Sequence, residues 1–431
     1  MNDNKQQARL PRRSPKWPNR LRMTRYWPLA VAEVVLAIVL GLALPGIEER
    51  LHLTDGLDYD ASTAQTTLAA IAGGMITLTG FVLTAVTLMV QTVQSQSSRL
   101  LQALNRTDKT PLLFGTFAAT FTYALLVLSV VHGDDVPSIS VTLALVLVLV
   151  CTAMFLRLLV TFRTTLTVVG LTTLIGHDLR RLVNLVYPAP LGTADYNLPA
   201  QGSREPEPSW NVCHVGEPGV FQSFNEARAV RIASKSGATI RFIPAVGDFV
   251  VTGAMLATGT GSPPSPWAVR GLVRIGSTRT LEQDPAYGLR MLVDIAIRAL
   301  SPAVNDPTSA IQALDQIDDI LTRLAGRSLG YGRLRDAAGR VVITYPAPTW
   351  DAFLSLAIDE ILLYGSGSLQ VTRRLRALLD DLRAITLPPR WPAIDLKLAA
   401  LHRAVRRTFP DGPEAAEAAR PDRQGIGSPR G

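Results

Sequence analysis

The stretch that decides the fold is ASTAQTTLAAIAGGMITLTGFVLTAVTLMVQTVQSQSS, residues 61 to 98, which contains no charged residue. A helix that crosses the roughly 30 Å hydrocarbon core of a bilayer needs about 20 apolar residues. The apolar part of this run, residues 67–90, meets that length. Three further stretches meet it when the reading moves outward: 27–44 ahead of Pro45, 111–131, and 136–156 with its run VTLALVLVLV. Buried helices of soluble proteins seldom stay uncharged over such lengths, so four of them in one chain exclude a soluble reading. Glu33 is the one carboxylate inside a span. Such a residue is a functional candidate by default, although at that depth it can also reach the headgroups near Arg25.

The rest of the composition narrows the class. The 431 residues are 47% hydrophobic and 18% charged, which excludes a disordered chain, a collagen-like fibre and a disulfide-stapled mini-protein. Two cysteines and five histidines, all scattered, leave little material for a metal or redox site. Neither a metal nor a cofactor is expected. Cys151 falls in the fourth span and Cys213 beyond it, so no bridge is expected between them.

Loop charges set the expected topology. Before the first span stand Lys5, Arg9, Arg12, Arg13, Lys16, Arg20, Arg22 and Arg25 against Asp3, and by the positive-inside rule this end is cytoplasmic. The basic region is too long for a cleavable signal peptide, and no small-residue cleavage site follows it. The next loop is acidic, with Glu48, Glu49, Asp55, Asp58 and Asp60. The third carries Arg99, Arg106 and Lys109, and the fourth Asp134 and Asp135. Arg157 and Arg163 follow the last span. The alternation predicts an inner-membrane protein with both termini cytoplasmic. The net charge of +8 is then a topology signal and a contact with anionic lipid headgroups, rather than a nucleic-acid footprint.

In the second span, alternating steps of four and three give Thr66, Ala70, Gly73, Thr77, Gly80, Thr84, Thr87, Gln91, Gln94 and Ser98. Every one is small or polar. The opposite face holds Ile71, Met75, Leu78, Val82 and Met89. Two readings stay open. The stripe is a packing seam, where small residues let helices approach and threonines bond across or back to their own helix. Alternatively it lines a narrow wet path along an oligomer axis.

The composition changes after the spans, and the chain reads as an α-helical membrane protein followed by a cytoplasmic α+β domain. Residues 1–26 form a basic N-terminus and 27–164 the transmembrane domain. A helix and a Pro-rich linker occupy 165–208, a β-rich block 209–280, a helical block 281–410, and an unstructured tail 411–431. In the β-rich block, Val246-Gly247-Asp248-Phe249-Val250-Val251-Thr252-Gly253 looks like the turn of small lipoyl- or biotinyl-type barrels. No lysine lies between Lys235 and Lys397, so a swinging-arm carrier is not expected and the run marks a tight β-turn. In the helical block, Asp294 and Arg298 stand four apart with the acid first, the favourable order for a helical ion pair. Asp306-Pro307 reads as an N-cap with proline at the first helical position. Asp315, Asp318 and Asp319 share one helical face, either as a solvated face or as a cation site. His214 beside Cys213 lacks the spaced partners of a zinc site.

The run from Arg298 to Ala310, RALSPAVNDPTSA, preceded by Gln283-Asp284-Pro285 and Tyr287-Gly288-Leu289, resembles the signature of the domain-of-unknown-function 2254 family of predicted bacterial membrane proteins. The resemblance includes Trp27-Pro28, Ser98-Arg99-Leu100-Leu101, FGTFAATFTYAL at 114–125 and the GDFVVTG run at 247–253, and spans about 22 to 409. Ser98 stands where the family pattern has proline, and the stretch around 262–266 is short and polar. The resemblance implies a topology but brings no assigned activity or catalytic residue.

Three functions are compatible with these residues. The leading expectation is a homo-oligomeric channel- or sensor-like protein, with span two on the axis and the cytoplasmic domain regulating it. The second is a membrane scaffold or signalling protein without a permeation path. The third, a membrane-bound enzyme, needs the candidate signature Asp284, Asp294, Arg298, Asn305 and Asp306 to converge in a pocket. No phosphate loop, GxSxG, HExxH or kinase set accompanies it.

Overall fold

The computed structural model describes residues 26–51, 59–96, 110–131, 136–165, 167–191, 207–410 and 413–426, excepting the side chains of 51, 92–96 and 162–165. The charged N-terminus and most loop charges behind the topology reading lie outside the described residues, as do Ser98 and the side chain of Gln94. The chain divides into two compact units, one ending at Leu171 and one beginning at Thr172.

The first unit holds helices α1 (Tyr26–Leu51), α2 (Ala61–Gln96), α3 (Thr110–Val130) and α4 (Ser138–Thr165). All four are long and apolar enough to cross a membrane. α3 is central and packs on the other three. Its Phe117, Tyr123, Ala124 and Val127 are buried with Leu68, Ile71, Met75 and Val82 of α2 and Val141, Ala144 and Cys151 of α4. The first span was expected to end before Pro45, but the helix continues to Leu51. Proline removes one i→i−4 hydrogen bond, a break that neighbouring helices can absorb inside a bundle. The extra turns bring the Glu48 carboxylate to the start of α4. There it accepts from Ile139 N at 3.0 Å, an orphan N–H of that helix end, and from Ser140 Oγ.

Close packing in this unit runs between α1 and α3. A Cβ added to Gly115 would lie 2.7 Å from Ala30 Cα and 2.8 Å from Glu33 Oε2, and one added to Gly41 would lie 2.9 Å from Leu126 Cβ.

The second unit begins with most of α5 (Val168–Val186), whose Leu171, Ile175, Leu179, Leu182 and Val183 are buried. Strands β1 (Trp210–Cys213), β2 (Gly219–Phe224), β3 (Thr239–Phe242), β4 (Phe249–Val250), β5 (Met255–Thr260) and β6 (Val273–Gly276) follow. They are interleaved with α6 (Glu226–Ser236) and the short α7 (Pro266–Arg270). Then come α8 (Pro285–Ala299), α9 (Pro307–Ala325), β7 (Tyr331–Arg335), β8 (Val341–Pro346), α10 (Trp350–Gly365), α11 (Leu369–Ile385), α12 (Trp391–Thr408) and α13 (Pro413–Ala418).

Two sheets form, β1-β5-β3-β8-β7 and β4-β2-β6. β3 and β8 pair in parallel, and the remaining pairs are antiparallel. The β7–β8 hairpin lies within the block after residue 281, where helices were expected to dominate. β8 reads VVITYP, a β-branched run suited to a strand, but its partner β3 lies about a hundred residues earlier, beyond the reach of local pattern. The expected β-rich and helical blocks therefore share one sheet. Between the sheets and α6, Phe221, Phe224, Phe242, Ile240 and Ile343 form a core, with Phe224 and Phe242 ring centroids 4.8 Å apart.

The stretch expected to be an unstructured tail also carries structure. α13 buries Ala418, and the Glu417 carboxylate takes the Arg373 guanidinium. Arg423 pairs with Asp381 at 2.5 Å, and Gln370 Nε2 donates to Gly425 O at 2.8 Å. Composition alone misses this because the partners stand on α11, supplied by tertiary packing.

Candidate functional site

α2 is built so that its two faces differ. Ala64, Leu68, Ile71, Met75 and Val82 point into the bundle and are buried. Thr66, Ala70, Gly73, Thr77, Gly80, Thr84, Thr87 and Gln91 are all exposed on the single chain. The threonines of this stripe bond back to their own helix, Thr77 Oγ1 to Gly73 O at 3.0 Å, Thr84 Oγ1 to Gly80 O at 3.0 Å and Thr87 Oγ1 to Leu83 O at 2.8 Å. A Cβ added to Gly73, Gly74 or Gly80 would meet nothing within 4 Å. The stripe is therefore no packing seam within the chain; that seam belongs to α1 and α3. The stripe's Thr66 and Ala70, with Thr67, Gly74 and Met75 of α2 and Val148 and Thr152 of α4, line an open groove of ≈ 610 Å³.

Glu33 sits at the α1–α3 seam rather than on an open helix face. Thr116 Oγ1 donates to its Oε2 at 3.1 Å. One turn on, Thr120 Oγ1 donates to Thr116 O at 2.9 Å and lies 3.2 Å from Cys151 Sγ. Hydroxyls and a thiol thus link α1, α3 and α4 inside the apolar bundle. Position in sequence could mark Glu33, but not the Thr116, Thr120 and Cys151 that accompany it.

The signature residues occupy both ends of one helix hairpin. Asp284 caps α8, accepting from Tyr287 N at 2.9 Å, and Asp306 caps α9, accepting from Ser309 N at 3.1 Å. The Ser309 side-chain and backbone hydrogen bonds hold the Asp306 carboxyl below its ordinary range. Asn305 adopts φ 46°, a left-handed conformation that asparagine tolerates better than most residues. Asn305 N and Asp306 N close the corner on Ser301 O and Ala299 O, each at 2.8 Å. Asp294 accepts from Arg290 Nε at 2.7 Å, and the same guanidinium clamps Glu360 on α10. Arg298 is exposed in the last turn of α8. Asp284 and Asp306 are separated by the length of α8, about 22 Å at 1.5 Å per residue. The set does not converge, and an enzyme reading that needs it in one pocket loses its geometry.

What the signature does bring together is a joint between the sheets and the helices. Gln283 acts as a surrogate strand neighbour: its Oε1 accepts from Phe224 N at 2.9 Å and its Nε2 donates to Phe224 O at 3.1 Å. Glu282 takes Arg274 at 2.7 Å and Ser223 Oγ at 3.2 Å. Arg279 Nε donates to Gly247 O at 2.9 Å and lies 3.8 Å from Asp284 Oδ2. Asp284 is 5% exposed, and burial pushes its carboxyl up to about 6 against the pull of the Tyr287 N–H and Arg279. Arg279, Glu282 and Gly247 drew no notice as partners in the sequence, because the pairings join separate turns.

The acidic face of α9 is occupied by arginines. Arg374 donates to Asp315 at 2.9 Å and to Asp318 at 2.7 Å, and Arg180 and Arg323 each reach Asp319 at 3.1 Å. Among the described residues no group of His, Cys, Asp and Glu could hold a metal ion. Cys151 and Cys213 are free thiols, and the His214 ring lies 2.9 Å from Glu217 O. Arg390, missed in the sequence, is a buried C-cap. It donates to Leu324 O, Ala325 O and Arg327 O at 2.7, 2.8 and 2.5 Å and stacks 4.9 Å from the Trp350 ring. Its carbonyl partners lie more than 60 residues away, which leaves no local signal.

The geometry can be set beside known proteins. A family model described as predicted membrane protein (DUF2254) matches residues 23–381. An uncharacterized protein of Mycobacterium bovis and one of Mycobacterium tuberculosis are each 32% identical over 413 residues, covering 90% of this chain and 78% of theirs. No solved structure matches the chain. The four membrane-length helices, the α+β unit that follows and the extent of the match together make the chain a member of the DUF2254 family of predicted membrane proteins.

Proposed function

We propose that this chain forms a homo-oligomeric channel- or sensor-like assembly in the bacterial inner membrane, with α2 facing the other copies and the α+β unit regulating it from the cytoplasm. The observation that carries the reading is the exposure of the α2 stripe on a single chain. Outward faces that meet lipid are expected to be apolar and bulky, and α1 supplies one: Leu29, Val31, Val35, Leu36, Val39 and Leu42 are exposed. The stripe residues are small or carry hydroxyl and amide groups, the types that favour helix–helix contact in a bilayer. The alternating loop charges and the basic N-terminus support both termini in the cytoplasm and contact with anionic headgroups.

The test is conductance of the purified chain in planar bilayers, with and without membrane tension. Discrete currents that change in Gly80→Leu and Thr84→Leu are the expected result. Neither side chain packs within the chain, so the variants leave the single-chain fold intact. A silent bilayer containing folded oligomer favours a scaffold without a permeation path, and a monomeric protein overturns the assembly itself.

A further inference from the structure

The joint between the sheets and α8 contains a carboxylate with an unusual combination of properties. Asp284 is buried, and one of its oxygens caps α8. The other, Oδ2, has no hydrogen-bond partner among the described residues. Four elements enclose it. The turn before β4 supplies Gly247 and Asp248, and the segment after β6 supplies Arg279. α8 supplies the Tyr287 N–H, and Tyr187 follows α5, its hydroxyl pushed upward by burial first and then by Tyr345 and Asp284. Gly247 has φ +100° and no room for a side chain, since a Cβ there would stand 2.6 Å from both Asp284 Oδ2 and Arg279 Nη2. The turn is closed from the other side by Gly247 N to Phe221 O and Phe221 N to Asp248 O, both 2.8 Å. α8 in turn meets α5 through Gly288, where a Cβ would lie 2.8 Å from Leu179 Cδ1.

We propose that Asp284 is a protonation-controlled latch that holds the Gly247 turn against the N-terminus of α8, tight when its carboxyl carries a proton and loose when it is ionised. The closed joint surrounds Oδ2 with protein and offers it no hydrogen bond, which disfavours the charged form. Among the described residues Arg279 is the cation facing it, at 3.8 Å and already engaged with Gly247 O, while Asp248 opposes a second negative charge. Opening the joint hydrates the carboxylate and lowers its proton affinity. By linkage the closed state must then bind the proton more tightly than the open one. The sign is fixed: the closed form gains as pH falls through about 6 and loses as pH rises.

The experiment is hydrogen–deuterium exchange of the full chain in micelles at pH 5 and pH 8, corrected for intrinsic rates and read on peptides covering 219–224 and 245–250. The wild type is expected to open about tenfold more at pH 8 than at pH 5, and Asp284→Asn, which keeps an N-capping oxygen, should lose that difference. A pH-independent wild type, or an Asn variant with the wild-type dependence, overturns the latch. Asp248→Asn is a second arm that does not depend on the first variant folding. It removes the opposing charge while its amide oxygen can still accept from Ala245 N. A smaller ratio of opening between pH 8 and pH 5 than in the wild type is expected, and an unchanged or larger one overturns the proposal.

Discussion

Adding one methyl group at Gly115 should cost stability and adding one at Gly80 should not, because these glycines stand in different surroundings. At Gly115 the new Cβ would come 2.7 Å from Ala30 Cα and Cβ. Carbon atoms pack at about 3.5–4.0 Å, so α1 and α3 must separate by about 1 Å along most of the seam that Ala30, Ala37 and Gly41 share. Ala30 Cα is backbone and cannot rotate away. Overpacking of this kind costs about 1–3 kcal/mol, and Gly115→Ala should lose that much. Gly41→Ala should also lose stability, since its nearest atom is Leu126 Cβ at 2.9 Å, which no change of rotamer moves. Gly80→Ala meets nothing within 4 Å and should stay within about 0.5 kcal/mol in the single chain. The assay is reversible unfolding of the purified chain in mixed micelles titrated with SDS, at a protein concentration low enough to keep it monomeric. Equal losses at Gly115 and Gly80, or none at Gly115, would refute the assignment of the tight seam to α1 and α3.

Three further outcomes are expected. Arg390→Met should destabilise the α+β unit by about 3 kcal/mol or more, because it leaves the carbonyls at the end of α9 unsatisfied in a buried site; thermal melts of the full chain read this, and Arg390→Lys should recover little without the planar fork. Asp306→Ala should cost about 1 kcal/mol through loss of the α9 cap, with Asp306→Asn close to wild type; since the Asp306 carboxyl is held low, the wild-type advantage over Ala should shrink as pH falls through its folded-state value. Asp284 runs the other way. Its carboxyl is raised from 3.8 to about 6, so its contribution is full below pH 3.8 and lost as pH rises to 6; Asp284→Asn should therefore be more stable than wild type at pH 8, by up to about 3 kcal/mol, and converge with it in acid. Denaturant titrations at both pH values check the sign, and a variant less stable at pH 8 contradicts the buried charge.

Residue pattern alone determined the membrane helices, because bilayer thickness imposes a length that no short-range ambiguity can imitate. It also determined the Asp306–Pro307 cap and the two unlike faces of α2. Each of these depends on residues within a few turns of one another. Tertiary structure decided which face of α2 turns inward, that the close helix seam runs through Gly41 and Gly115, and that α1 continues past Pro45 to bring Glu48 to α4. It also decided that β8 joins β3, that Arg374 and Arg180 reach the acidic face of α9, and that Asp284 is buried beside Gly247 while Asp306 caps a helix far from it. In all of these the partners lie from tens of residues to more than a hundred residues apart. Charge, volume and hydrogen-bonding capacity can be read from a single residue, but the neighbour that satisfies or opposes them exists only after the chain has packed.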